Sequence, residues 1–172
     1  MKAKNESNRE DYLPKVSLSI GDAFPANELR LSDGTTVDLR KTGARWTALY
    51  FYPKDDTPTC TRQACNLRDA WPLLEGHGIM VLGISPDNAS RHQRFAAKHA
   101  LPFRLVVDEE SSLARSLGIF RMKKFMGRAY EGMHRVTLLL DAHLKLAAVI
   151  YPVEASHHHE QILEAAGLTA EK

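Results

Sequence analysis

Cys60 and Cys65 are the only two cysteines in the 172-residue chain, and they lie five residues apart. The stretch around them reads Tyr52-Pro53-Lys54-Asp55-Asp56-Thr57-Pro58-Thr59-Cys60-Thr61-Arg62-Gln63-Ala64-Cys65. Thr57 is a good N-cap, and Pro58 suits a first helical position because it has no N–H to leave unpaired, so the pattern predicts a helix with Cys60 as its third residue. There, unpaired backbone N–H groups and the positive end of the helix dipole favour a thiolate over a thiol. Cys65 lies more than a turn further on, where that effect has faded. One sulfur is placed to attack and the other to resolve the oxidised product.

Five residues along an ideal helix correspond to a rise of about 7.5 Å and a rotation of about 140°, which separates the two Cα atoms by about 8.6 Å. A disulfide needs Cα atoms closer than about 7 Å with converging Cβ vectors. If the cysteines are redox partners, the first turns of the helix must therefore open in each cycle.

Elements that could position these sulfurs are readable on both sides. Trp46 to Tyr52 is aromatic and β-favouring and halts at Pro53, as a buried strand does before a turn. Pro72 should kink or end the cysteine helix near Trp71. After Gly76-His77-Gly78 comes Ile79 to Ile84, an apolar run typical of a strand covered on both faces, completing a βαβ unit. Asn88 or Ser90 can cap a helix through Ala100, Leu105 to Val107 is a short strand, and Ser111 to Leu117 a short helix. Met133 to Leu140 and Leu144 to Tyr151 read as an antiparallel pair, followed by a helix capped by Ser156 and ending at Gly167. Upstream, Asp33-Gly34 marks the turn of a small N-terminal hairpin whose second strand is Thr35 to Leu39. The pattern is α/β.

The segment Pro53-x-x-x-Thr57-x-x-Cys60 resembles the peroxiredoxin active-site signature. With Tyr52-Pro53-Lys54-Asp55-Asp56-Thr57-Pro58 and a second cysteine five residues on, it is similar to the bacterioferritin comigratory protein (BCP) or PrxQ branch. Gly21-Asp22-x-x-Pro25, Val81-Leu82-Gly83-Ile84-Ser85-Pro86-Asp87, Leu101-Pro102-Phe103 and Gly132-Met133-His134-Arg135 extend the likeness over residues 19 to 168. The resemblance implies a thioredoxin-like fold, with a central mixed β-sheet flanked by helices and an N-terminal β-hairpin. It implies a peroxidase in which Cys60 is oxidised to a sulfenic acid by hydrogen peroxide or an organic hydroperoxide. Cys65 would then close an intramolecular disulfide, and thioredoxin or a similar dithiol would reduce it. It also gives Thr57 a role at the sulfur or the peroxide, Pro53 a shielding role, and Arg135 the place of the family's late active-site arginine. No metal, haem or flavin is implied. Thr59 departs from the branch, which usually has glycine there, and sets a β-branched residue beside the sulfur.

Composition narrows the alternatives. With 23 Lys and Arg against 21 Asp and Glu, the net charge of +2 indicates neither a nucleic-acid nor an anionic-membrane partner. Residues 1–16 read as a polar, poorly ordered extension and 17–172 as one domain. Met1 to Glu10 has no apolar core of a secretory signal, no run is long enough to span a membrane, and the expected setting is the cytoplasm. An intramolecular cysteine pair needs no second subunit, so a monomer suffices. A protein-directed thiol–disulfide oxidoreductase remains open, although Cys-x-x-Cys is missing, as does a redox-sensing or chaperone-like binding protein. His157-His158-His159 reads as a solvated first turn, because consecutive helical histidines cannot face one ion. Arg121, Lys123, Lys124 and Arg128 read as a solvated basic loop.

Overall fold

The computed structural model describes residues 9–168. In chain order the elements are β1 (Glu28–Arg30), β2 (Thr36–Asp38), β3 (Trp46–Phe51), α1 (Pro58–Asp69), α2 (Trp71–Gly76), β4 (Ile79–Ser85), α3 (Ala89–Lys98), β5 (Arg104–Val107), α4 (Ser112–Ser116), β6 (Phe120–Phe125), β7 (Arg128–Met133), β8 (Val136–Leu140), β9 (Leu146–Ile150) and α5 (His158–Ala165). Five strands form the central sheet in the order β5-β4-β3-β8-β9. The β3, β4 and β5 strands run parallel, and β8 and β9 complete the sheet antiparallel. This is the mixed sheet expected of a βαβ half joined to a ββα half.

The sheet is covered on both faces, which is why β3, β4 and β8 are nearly continuous apolar runs. Along β3, Leu49 and Phe51 face a core completed by Leu29, Leu31 and Val37 of the N-terminal hairpin and by Ala114 and Leu117. Ala48 and Tyr50 face the opposite core, which is closed by Cys60, Ala64 and Leu67 of α1, Leu74 of α2, Phe95 of α3 and Ile162 and Leu163 of α5. Cys60, Gln63, Ala64 and Leu67 recur at i, i+3, i+4 and i+7, so the Cys60 sulfur lies on the stripe that docks α1 to the sheet.

Pro72 acts as the spacing predicts: α1 ends at Asp69 and a separate short helix carries the proline in its first turn. Asn88, rather than Ser90, caps α3 by accepting from the Arg91 N–H at 2.9 Å. Three expectations require correction. The basic run is a β-hairpin, not a loop, with Phe125 paired to Arg128 across a two-residue turn. Met126 and Gly127 both have positive φ, 50° and 80°, the turn geometry that matches strand twist; methionine at the first position hides the usual Asn-Gly or Asp-Gly signal. Ser156 is not the cap of α5, since a 3-10 turn at Ala155–His157 intervenes and His157 holds the N-cap position without a side-chain bond. Finally, residues 9–16, expected to be poorly ordered, lie against the domain: Lys15 N–H donates to Gly118 O at 2.9 Å, and Leu13 O accepts from Arg121. Residues 1–8 of that extension lie outside the described residues.

Gly83 sits in the middle of β4 because a Cβ there would lie 2.8 Å from both the Tyr50 hydroxyl and a Leu105 methyl. Tyr50 is fully buried, and its hydroxyl has no hydrogen-bond partner among the described residues. An unpaired buried hydroxyl carries a desolvation cost with no return, so Tyr50→Phe should raise unfolding stability by about 1 kcal/mol. Urea unfolding checks this; a lower midpoint for Tyr50→Phe would show that the hydroxyl is satisfied in solution.

Candidate active site

The β3–α1 turn places the Cys60 sulfur. Its centre is Asp55, a buried acid whose own N–H donates to Asp87 Oδ2 at 2.8 Å. The Asp55 carboxylate accepts from the Tyr52 hydroxyl and meets His92 Nδ1 at 2.6 Å, while His92 Nε2 donates to Val106 O at 2.9 Å. Asp87 is held in turn by Ser85 Oγ at 2.7 Å. Buried polar groups satisfied this fully are rigid, so the loop that presents Thr57 and Cys60 is pinned to β4, α3 and β5. Asp55, Asp87 and His92 are also close enough to offer ligand atoms to one ion. Their atoms are already engaged with each other and with Tyr52, Ser85 and Val106, so the cluster is a brace.

Thr57 stands at the N-cap of α1 and Pro58 at its first position, as the sequence predicts. The cap is positional only. The Thr57 hydroxyl donates to Lys54 O at 2.8 Å and makes no bond to the helix, so the side-chain cap expected of Thr57 is absent. With its proton directed to Lys54, the Thr57 oxygen retains lone pairs that can accept. Pro53 lies half-buried in the bend before it. The helical ladder begins with Thr61 N–H to Thr57 O at 2.8 Å, so the N–H groups of Thr59 and Cys60 precede it and lie at the positive end of the dipole.

Arg135 occupies the two-residue break between β7 and β8. The break is fixed by His134 N–H donating to Ile119 O at 2.9 Å and by His134 Nε2 donating to Met122 O at 3.1 Å. Arg135 Nη2 donates to Cys60 Sγ at 3.3 Å, and Nη1 donates to Gln63 Oε1. Cys60 is 2% exposed, so this charge-assisted contact is screened little by water. Cys65 is a half-buried free thiol further along the intact helix.

Four other residues lie with these groups although the sequence reading assigns none of them to the site. Gln63 is one turn from Cys60 on the buried stripe, and Thr137 is two residues beyond Arg135, near the start of β8. Those spacings were available as signals. Lys123 lies on the β6–β7 hairpin, donates to Met133 O at 2.7 Å, and is half-buried rather than solvated. Burial first, and then Arg135, pull its pKa below the ordinary lysine value. His158 is completely buried, correcting the expectation that His157-His158-His159 is a solvated turn. Successive helical residues point about 100° apart, so one of three adjacent histidines faces the core.

The AhpC/TSA family profile matches residues 20–149. The chain belongs to the AhpC/TSA family. Peroxiredoxin Bcp of Escherichia coli is 40% identical over 146 residues, covering 85% of this chain and 94% of that protein. Peroxiredoxin Bcp of Bacillus subtilis is 36% identical over 149 residues, covering 87% and 95%. Among solved structures, a bacterioferritin comigratory protein from Xanthomonas campestris, described for its alkyl peroxide reduction activity, superposes with a TM-score of 0.77 at 30% identity, over 89% of this chain and 98% of that one. The resemblance read from the Pro53–Cys60 motif is thus borne out, together with the thioredoxin-like peroxiredoxin fold. This AhpC/TSA protein is a thiol-dependent peroxidase, and it needs a peroxide substrate and a reductant. No helix among the described residues is long and apolar enough to cross a membrane.

Proposed function

We propose that Cys60 is the peroxidatic cysteine and Cys65 its resolving partner, in an atypical two-cysteine cycle that reduces hydrogen peroxide and organic hydroperoxides. The supporting observation is the 3.3 Å contact of the Arg135 guanidinium with Cys60 Sγ at a helix N-terminus. The Cys60 thiolate attacks one peroxide oxygen, forming S–O as O–O breaks. The electron pair leaves on the second oxygen, which takes up a proton and departs as water or alcohol. Arg135 and the N–H groups of Thr59 and Cys60 stabilise charge on the oxygens, Thr57 accepts from the peroxide O–H, and Pro53 limits water access.

Cys65 then attacks the sulfenic sulfur, releasing water and forming the Cys60–Cys65 disulfide. An intact α1 keeps the sulfurs apart, so the helix opens at this step. Opening breaks the Gln63 contacts and those of Asn66, which donates to Ser156 O at 2.8 Å and accepts from His159 N–H at 2.9 Å. Thioredoxin or a similar dithiol protein completes the cycle, in a reducing compartment such as the cytoplasm. Residues 17–172 act as one catalytic domain and residues 1–16 as an extension, and a monomer suffices.

Mass spectrometry of the parent chain and Cys65→Ser after peroxide tests this. The parent should carry an internal disulfide. Cys65→Ser should carry a sulfenic acid on Cys60, consume about one equivalent of peroxide and fail to turn over with thioredoxin. A parent chain whose two thiols survive peroxide unchanged would overturn the proposal.

A further inference from the structure

Gln63, His158 and Thr137 are all completely buried, and the hydrogen bonds among them form a circuit with Arg135. Arg135 Nη1 donates to Gln63 Oε1, Gln63 Nε2 lies 3.2 Å from His158 Nδ1, and His158 Nε2 lies 2.7 Å from Thr137 Oγ1. The circuit starts and ends at the beginning of β8, since Arg135 immediately precedes that strand and Thr137 is its second residue. It passes through α1 and through the first residue of α5.

The direction of every bond follows from one end. A guanidinium has donors only, so the Gln63 atom facing it is the carbonyl oxygen. The Gln63 amide N–H₂ therefore faces His158, and His158 Nδ1 must accept. An imidazole accepting at Nδ1 carries its proton at Nε2 and donates it to Thr137. Burial, reinforced by Arg135 and His159, pulls the His158 pKa down to about 3, so the ring stays neutral near pH 7.

We infer that His158 is a positioning residue for the reactive thiolate: its Nδ1 holds the Gln63 amide in the one orientation that turns an oxygen toward Arg135, and so keeps the guanidinium on Cys60 Sγ. Without that acceptor, Gln63 either buries an unpaired N–H₂ or rotates and presents donors to a donor-only guanidinium. Either outcome loosens Arg135 from the sulfur. Thr137 sets the tautomer from the far end. The inference rests on Cys60 being the reacting sulfur, but not on what it reacts with.

The test uses Cys65→Ser as parent, so that Cys60 is the only thiol. The pH dependence of Cys60 alkylation by iodoacetamide is compared in added His158→Leu, His158→Asn and Thr137→Val, alongside the rate of sulfenic acid formation with hydrogen peroxide. Asparagine can present an oxygen where Nδ1 stood, and valine keeps threonine's shape without its oxygen. In His158→Leu the alkylation midpoint should move to higher pH and the peroxide rate should fall about tenfold, within the range for one unpaired buried donor. His158→Asn should stay within about threefold of the parent, and Thr137→Val should shift the same way as leucine by about threefold. A folded His158→Leu protein, verified by circular dichroism, with the parent's midpoint and rate would overturn the inference; so would His158→Asn being as impaired as leucine. If His158→Leu does not fold, an unmoved midpoint in Thr137→Val overturns it. A parent that ignores peroxide while its alkylation midpoint still responds to His158 would refute the peroxidase cycle and leave the positioning role standing.

Discussion

Replacing Cys60 by serine should abolish peroxide turnover, and replacing Arg135 by methionine should cut it by about 10²- to 10³-fold, the usual cost of removing one aligned electrostatic donor. A serine hydroxyl is not ionised at neutral pH, and the charged group in contact with this position is the Arg135 cation, which is no base. Methionine at 135 fills similar space but leaves the sulfur without its charged donor and Gln63 Oε1 without its partner. Arg135→Lys should fall in between. One ammonium cannot reach both the sulfur and the amide oxygen with the two-pronged geometry of a guanidinium, so the charge survives while the alignment does not. Steady-state peroxide consumption with excess dithiol reads all three. Measurable turnover in Cys60→Ser would remove this sulfur from the reaction, and parent-like rates in Arg135→Met would remove the guanidinium.

Acid should destabilise the fold through His158 by up to about 4–5 kcal/mol as the pH approaches 3, a large part of the about 5–15 kcal/mol that holds a typical domain together. The histidine is completely buried, which pulls its pKa down to about 3 in the folded chain, against about 6.5 when unfolded. The unfolded chain therefore binds this proton first. Stability from the site is complete above about pH 6.5 and declines by about 1.4 kcal/mol per pH unit below it, until the folded histidine also titrates. The charged groups facing the ring, Arg135 and His159, act in the same direction as burial. His134, buried and with its pKa pulled down by that burial, adds a slope of the same sign. Carboxylates held low by partners, such as Asp38 beside Arg40, begin to contribute only at lower pH. Urea unfolding between pH 7 and 4 should therefore give a flatter stability curve for His158→Asn than for the parent, and parallel curves would show that His158 is reached by protons in the folded state.

Much of the reactive centre was legible because it is local. Capping preference, the proline at the first helical position and the dipole all act within one turn, so the Thr57-Pro58-x-Cys60 run was enough to place a sulfur at the start of α1. The same locality explains the break at Pro72, the Asn88 cap and the buried strands β3 and β4. Where local rules allowed two outcomes, the reading failed. Thr57 can bond forward to the helix or back to Lys54, and the turn pinned by Asp55 selects Lys54. The β6–β7 hairpin was missed because the Met126-Gly127 turn carries no strong sequence mark.

By itself, then, the sequence determined where the cysteine helix begins and that Cys60 stands in its first turn with Cys65 more than a turn further on, since these follow from residues within a few positions of each other. Only the tertiary structure decided which histidine of three is buried, that Gln63 meets it from 95 positions away, and that Arg135 closes on a cysteine 75 residues earlier. The reason is that such contacts depend on how separate elements pack around the sheet, and no local preference of the chain encodes which side chain will meet which across that distance.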